Sequence, residues 1–172
     1  VDYLVDIARA AAEINSDFHL VVYGEGREKV LITEKAINHG VRDKNFHLYD
    51  RVSKGEMPAI FHECAAGTSL FIDLKEMHAN SANKFFDTLA AGKPVVINYE
   101  GWQADLIREY NCGLVLPPAD PVAAAKALND HLLDPDWLET AGKNALRLAR
   151  DSFDRDKLSE QLEAVFTKVV GN

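Results

Sequence analysis

Little in this chain serves to staple, anchor or metallate it. Its 172 residues hold two cysteines, Cys64 and Cys112, one in a helical and one in a turn context, with neither a pairing nor a metal-ligand spacing. Both read as reduced thiols of a cytosolic kind of protein. No apolar run approaches the ~20 residues of a bilayer-crossing helix, and the opening residues do not follow a signal-peptide pattern. Positive charge is scarce: 19 Lys and Arg against 27 Asp and Glu leave a net charge of −8. With no basic stretch to offset it, that balance excludes general nucleic-acid binding. It leaves room for a nucleotide, because one pocket needs only one or two cations and some backbone amides.

Familiar catalytic signatures are missing as well. Among six histidines no two stand at metal-ligand spacing, so no metal is expected. There is no complete Gly-x-Gly-x-x-Gly, no phosphate loop ending in Gly-Lys-Ser/Thr, and no Ser/His/Asp or Cys/His set. Two carboxylates flanking a bond, as glycoside hydrolases use them, are not visible either. Repeats, low-complexity stretches and linkers are absent.

What is present is a globular composition, 47% hydrophobic and 27% charged, at a length that buries about 70% of its unfolded surface as one domain. Apolar residues at 1, 4, 5, 7 and 8 predict an amphipathic helix over residues 2–14. The chain thus enters on a helix, and a piece of a longer protein is expected. A strand over 18–23 ends at Gly24-Glu25-Gly26, and a helix over 27–39 stops at Gly40. A strand over 45–49 leads to a loop in which Ser53 and Glu56 stand at capping-box spacing before a helix that tolerates Pro58 early on. A strand over 68–73, a polar loop over 74–81, a short helix ending at Gly92 and a strand over 95–98 follow. Then come a helix over 102–110, a strand over 114–116, a helix from Pro121 capped by Asp120, and helices over 136–151 and 154–170. Strand alternates with helix, and the strands are short apolar runs without polar alternation. That predicts a doubly wound α/β fold, a parallel sheet with helices on both faces. Ligands of such sheets bind beyond the carboxyl ends of the strands, here the loops 24–26, 50–53, 73–82, 98–103 and 117–120.

Residues 81–98 concentrate the chemistry. Lys84 and Asp87 share one face of the short helix, and a lysine in a first turn opposes the helix dipole by about 0.3–1 kcal/mol. The placement makes sense if an anion lies before the helix, where free amides also point. Asp87, one turn on, suits the hydroxyls of a sugar or ribose. The bland alternative is a helix capped from Asn80 or Asn83 with a Lys84–Asp87 surface pair. Gly24 and Gly26 bring amides near a phosphate, or simply make a tight turn. Arg51 reads as a rim residue for a base or phosphate, or as a solvated arginine. Only His78 of the histidines lies near this end by topology; His19, His39, His47, His62 and His131 read as structural or surface residues. Trp102 reads either as pocket wall or as core anchor.

These motifs, in this order, resemble the C-terminal, donor-binding domain of GT-B fold glycosyltransferases of the large retaining family four. Val1-Asp2-Tyr3-Leu4 looks like the helix after that domain's first strand, and Val22-Tyr23-Gly24-Glu25-Gly26 like its Gly-x-Gly turn. Asp50-Arg51-Val52 stands where the family has Gly-Arg-Val. Ala90-Ala91-Gly92-Lys93-Pro94-Val95-Val96 matches its Ala-x-Gly-x-Pro-Val-Val run, and Gly113-Leu114-Val115-Leu116-Pro117-Pro118 its last strand and turn. The family's two glutamates fall on Ala79 and Asp87, and its Gly-Phe-Gly loop on Asn80-Ser81-Ala82. Asn-Ser-x-Asn-Lys-x-x-Asp is similar instead to bacterial N-acetyl-fucosamine transferases of surface-polysaccharide assembly.

The resemblance implies a retaining transfer of a hexosyl or N-acetylhexosaminyl group from a nucleoside-diphosphate sugar, UDP-linked by expectation, to an acceptor hydroxyl. Lys84 and the amides near Gly24, Gly26, Ser81 and Ala82 would hold the diphosphate, Asp87 the ribose, and the loop at Arg51 and Val52 the base. His78 and Asn80 are candidates for the sugar; no catalytic residue is identified. No cofactor beyond the donor is implied. A first strand, a cationic Gly-Arg-Leu-x-x-x-Lys-Gly segment and an N-terminal domain for a lipid-linked or glycan acceptor are expected outside this chain. The expected location is the cytoplasm, at the inner membrane face if the full-length protein associates peripherally. Residues 1–172 would be one nucleotide-sugar-binding domain, inactive by itself. The rivals are a nucleotide-sugar epimerase of the same fold and a non-catalytic receiver or flavodoxin-like module. For a receiver, Asp73 fits the phosphoacceptor position, but Gly-Glu-Gly stands where acids belong.

Overall fold

A computed structural model describes residues 1–15 and 17–170. The opening pattern forms the helix it predicts: α1 (Asp2–Ile14) buries Leu4, Val5, Ile7, Ala8 and Ala11. Each of the three larger side chains contributes about 1.5–3 kcal/mol by leaving water. α1 stops where Asn15 turns extended. Its neighbours are β1 (Leu20–Tyr23), α2 (Lys29–Asn38) and β2 (Phe46–Tyr49). β1 and β2 pair in parallel, Leu20 opposite Phe46 through Tyr23 opposite Tyr49.

The second half repeats the alternation. After α3 (Met57–Glu63) come β3 (Gly67–Ser69), α4 (Asn83–Ala90), β4 (Val95–Ile97), α5 (Trp102–Tyr110) and β5 (Gly113–Val115). β4 lies between β3 and β5, parallel to both. α6 (Pro121–Leu132), α7 (Pro135–Ser152) and α8 (Arg155–Val170) close the described chain.

The doubly wound α/β arrangement is visible most directly at β4. Val96 points into a core shared with α1, β1, β2 and α6. Val95 and Ile97 point to the other face, into a core with α4, α5 and α7. The strands are divided between two ladders, β1-β2 and β3-β4-β5. One apolar core nevertheless joins them, since Leu20 and Phe46 cluster with Val96 and Leu116. On the first ladder only one face is buried, and Val21, Tyr23 and Tyr49 on the other remain exposed.

Several element ends differ from the sequence expectation for identifiable reasons. β3 is shorter than 68–73 because the backbone leaves the ladder after Ser69. There the Asn98 side chain replaces the missing strand partner: Phe71 N–H donates to Asn98 Oδ1 at 2.9 Å, and Asn98 Nδ2 donates to the Phe71 carbonyl at 2.8 Å. The loop expected over 74–81 contains a 3-10 turn, Lys75–Ala79. Glu56 accepts from Ser53 N–H at 2.8 Å and Ser53 Oγ at 2.6 Å. That pair closes a turn ahead of α3, whose N-cap residue is Glu56 itself.

Asp120 caps α6 as predicted, accepting from the Val122 and Ala123 amides at 3.1 and 2.9 Å. The same Asp-Pro signal at Asp134-Pro135, missed in the sequence, caps α7. α8 carries Leu158, Leu162, Val165, Phe166 and Val169 exposed. Among the described residues no helix is long and apolar enough to cross a membrane.

Both cysteines are free. Cys112 is buried, which pushes its thiol up to about 11, and burial raises the half-buried Cys64 thiol as well. A thiol reagent in excess should therefore label Cys64 on the native chain and Cys112 only on unfolding. Equal rates at both sites would contradict the packing around Cys112.

Tyr3 ties α1 to the end of β5 by donating its hydroxyl to the Pro117 carbonyl. Burial, then the Asp120 and Asp6 carboxylates, push its phenol up from 10.0 to about 12. The folded chain therefore prefers the neutral phenol, and this contribution is complete below pH 10 and lost as pH rises toward 12. Tyr3→Phe should lower the melting temperature at pH 7 by about 2–4 °C, for a hydrogen bond worth about 1 kcal/mol. The gap to wild type should narrow on going from pH 9 to about pH 11. A gap that stays constant in thermal melts across that range would refute the assignment.

Candidate functional site

α4 is amphipathic, with Phe85, Thr88 and Leu89 buried. Phe85 meets Phe86, Trp102 and Phe153 edge-on at centroid distances of 5.4, 5.9 and 6.5 Å. This packing turns Lys84 and Asp87 outward, and both are exposed. They make no ion pair with each other or with any other described residue. Gly92, where the helix was expected to stop, has the left-handed φ of 66° that glycine tolerates best.

No side chain caps α4, because its N-cap residue is Ala82. Neither Asn80 nor Asn83 takes the capping role. Asn80 Oδ1 accepts from Ala82 N–H at 3.2 Å, and Asn80 Nδ2 donates to the Met77 carbonyl at 2.5 Å. Both ends of the Asn80 amide are thus spent within its loop, ahead of the helix. The Asn83 and Lys84 amides find no acceptor among the described residues. A helix end with free N–H groups, the positive pole of its dipole and an unpaired lysine is suited to an anion.

The Val1 ammonium, its pKa lowered first by burial, feels the charges of Asp2, Glu28 and Lys84. Glu28, just ahead of α2, and Lys84 of α4 are thus each within electrostatic range of the start of α1. In the turn after β1 Gly24 and Gly26 lack positive φ, and a Cβ added at either would meet nothing within 4 Å. Folding does not demand glycine there, and the space over the backbone is open. Gly24 N–H is already spent on the Tyr49 carbonyl at 3.2 Å.

Arg51 is exposed and Val52 half-buried. Their loop is tied to the start of α2 by an ion pair between Asp50 and Lys29. Lys29 holds the Asp50 carboxyl below its usual range.

The segment 71–82 is fastened to 98–103 at successive points. Asn98 bonds both backbone groups of Phe71, and Tyr99 meets the Phe71 ring edge-on at 5.3 Å. Gly101 has φ of 106°, and a Cβ there would fall 2.3 Å from the His78 carbonyl oxygen. Trp102 Nε1 donates to the Asn80 carbonyl at 3.0 Å. Trp102 therefore serves as core anchor and loop holder together. His78 is half-buried on the 3-10 turn. It lies near Glu100, whose carboxyl is held below its usual range by the Arg108 fork first and also by His78.

Sequence reasoning placed 98–103 beside the pocket but missed the roles of Asn98, Tyr99, Gly101 and Gln103. A glycine just before a helix was the one available signal.

The remaining histidines stand elsewhere. His19 Nδ1 and His47 Nε2 are 2.9 Å apart on the exposed face of β1-β2, and His131 Nδ1 lies 2.8 Å from the Ala127 carbonyl. Among the described residues no group of three or more His, Cys, Asp or Glu is placed to hold a metal. An open cleft of about 470 Å³ is lined by Gly92, Pro94, Leu138 and Leu146, at the far end of α4 from Lys84. Apart from Gly92, none of the residues above lines it.

The contrast between glycines is directly measurable. Gly101→Ala should destabilise the fold by about 1–3 kcal/mol through strain and contact with His78. Gly26→Ala should change stability by less than about 0.5 kcal/mol. Urea melts of the two variants test this, and comparable losses in both would contradict the geometry.

The family of glycosyl transferases group 1 matches residues 1–148. No curated protein matches the chain in sequence. Among solved structures, a TarM variant from S. aureus, determined with fondaparinux, alpha-GlcNAc-glycerol and UDP, superposes with TM-score 0.80 at 14% identity, covering 96% of this chain and 32% of that one. Sucrose-phosphate synthase from Thermosynechococcus elongatus gives TM-score 0.78 at 18% identity, with 97% and 42% covered. Anabaena HepE with UDP and glucose gives 0.76 at 16%, with 95% and 44% covered. At such identities the likeness shows a shared fold, and the chain spans less than half the length of each of these three. The family match runs over most of the chain and includes all of α4, both clamped loops and the turn after β1. By that match the chain belongs to the group 1 glycosyl transferases.

Proposed function

We propose that this chain is the donor-binding half of a glycosyltransferase that moves a sugar from UDP to an acceptor hydroxyl with retained configuration. The observation that carries the reading is the uncapped start of α4, with unpaired amides at Asn83 and Lys84 and an exposed, unpaired Lys84 in its first turn. Lys84 and the amides around Ser81 and Ala82 hold the diphosphate, and the open backbone at Gly24 and Gly26 lets it approach. Asp87 takes the ribose hydroxyls, and Arg51 with Val52 meets the base. TarM and HepE, which share the fold, were determined with UDP, which supports uridine as the base. The run Asn80-Ser81-Ala82-Asn83-Lys84 with Asp87, similar to that of N-acetyl-fucosamine transferases, supports an N-acetylated hexose and a role in bacterial surface-polysaccharide assembly.

In this mechanism the glycosidic bond to the diphosphate breaks as the acceptor hydroxyl attacks from the same face, its proton passing to the departing phosphate oxygen. Negative charge grows on the leaving diphosphate. The fixed amides, the helix dipole and Lys84 stabilise that charge more in the transition state than in the bound donor. They were oriented during folding, so they need little reorganisation when the charge appears. His78 and Asn80 are the residues proposed nearest the sugar; Asn80 acts there through the loop it holds.

The acceptor, a lipid-linked or other glycan, is bound by a separate N-terminal domain of a longer cytoplasmic protein. The division of the strands into two ladders over one core supports a further parallel strand between β1 and β3, supplied from that longer chain.

UDP at about 100 times its Kd should stabilise the folded chain by about 2.7 kcal/mol, a rise of several degrees in a thermal-shift assay. Lys84→Ala and Asp87→Ala should each weaken UDP binding about tenfold, a loss of about 1.4 kcal/mol. A UDP-induced shift unchanged in both variants would move the site elsewhere. Acetyl phosphate and flavin, ligands of the rival modules, should give no shift. Multiple-turnover sugar transfer by the 172 residues alone would overturn the assignment to half a catalyst.

A further inference from the structure

Gln103 is almost wholly buried, yet its polar end is only half used. Its Oε1 accepts the Tyr99 hydroxyl at 2.5 Å, while its Nε2 has no partner. Ser69 Oγ, at the carboxyl end of β3, is likewise buried and without a well-formed hydrogen bond. A buried donor left unpaired costs about 1–3 kcal/mol, and an apolar side chain of the same shape would avoid the cost. Packing therefore does not explain a glutamine here. Position does, because Gln103 lies in the first turn of α5, whose Ala104 and Ile107 are buried against the ladder. Tyr99 reaches from this rigid base into the clamped loops. Its ring meets Phe71 edge-on at 5.3 Å.

Asn80 carries the connection onward. Its carbonyl accepts from Trp102, its Nδ2 holds the Met77 carbonyl, and its Oδ1 holds the amide of Ala82, the N-cap residue of α4. The Tyr99–Gln103 bond closes the 99–103 turn, and from that turn Gly101 against His78 and Trp102 on Asn80 carry the connection to the residue whose position sets where the first amides of α4 point. We propose that Tyr99 and Gln103 are one positioning unit, whose buried hydrogen bond holds the 78–82 loop and so aims the α4 amides at a diphosphate. This assignment rests on reading the start of α4 as the diphosphate site. Neither residue touches the donor; both act through Asn80.

The test uses Tyr99→Phe, which keeps the ring on Phe71 and removes only the hydroxyl, and Gln103→Met, which keeps the volume and removes the acceptor. UDP and inorganic pyrophosphate are titrated by calorimetry, and amide exchange is followed without ligand. Each variant should lose five- to tenfold in affinity for both probes, because the defect lies at the diphosphate. The double variant should lose no more than either single one, since both changes break the same bond. Exchange at residues 78–84 should accelerate about tenfold while α1 and α6 are unchanged. A merely structural role would instead speed exchange throughout and lower the melting temperature in proportion to the affinity loss.

Wild-type affinities retained within twofold in both variants would overturn the positioning assignment and leave the donor reading standing. If the wild type binds neither UDP nor pyrophosphate, the donor reading falls. The exchange experiment then still decides: unchanged rates at 78–84 would overturn the clamp as well.

Discussion

Complete burial of β4 on both faces is the constraint on which the rest of this structure depends. Val95, Val96 and Ile97 have no exposed surface. Their alternation divides the apolar residues into one core under α1 and α6 and another under α4, α5 and α7. Such a strand has no freedom of register, since a slip of one residue would exchange the side chains of the two cores. Because β4 is fixed, Asn98 and Tyr99 at its carboxyl end are fixed too. They hold Phe71, and Trp102 just beyond them holds Asn80, which together set the approach to α4. The end that carries the candidate site is in this sense an extension of β4, which is buried on both faces.

Electrostatics at that end depend on arrangement more than on net charge. The chain carries −8 overall, yet two ion pairs near the rim bind their charges locally. Asp50 is held by Lys29 and Glu100 by Arg108. These pairs are exposed and add little to stability; their value is in tying loops 50–52 and 98–103 to α2 and α5. Among the described residues the Lys84 and Arg51 side chains have no ion-pair or hydrogen-bond partner, and no side chain caps α4. In the proposed reading, an unpaired lysine beside unpaired donors forms a local anion site that the overall charge conceals.

The α/β alternation was legible because short apolar runs, Gly stops and Asp-Pro caps are local signals. Asp120 and α6 illustrate how well such a signal transfers to structure. The segment 80–98 was legible for the same reason, since Lys84 and Asp87 are separated by one helical turn and their shared face follows from spacing alone. Asn80 was the opposite case. From sequence it looked like a helix cap or a sugar ligand; it does not cap α4, and its bonds to Trp102 and Met77 hold it in the loop ahead of the helix. Those contacts span gaps that periodicity does not report. Gln103 gave even less warning, because a glutamine at the start of a helix looks solvated until the strand beneath it is known.

The sequence by itself therefore determined the elements, their order, the parallel class of the strands and the helix that bears Lys84 and Asp87. All of these follow from local propensity and from the spacing of apolar residues. Tertiary structure alone decided that β1-β2 and β3-β4-β5 form separate ladders over a shared core, that Gly101 packs on the His78 carbonyl, and that the α4 start is left uncapped. Each depends on where distant segments meet. The free energies involved are comparable to those of many alternatives until the core has formed and selects one.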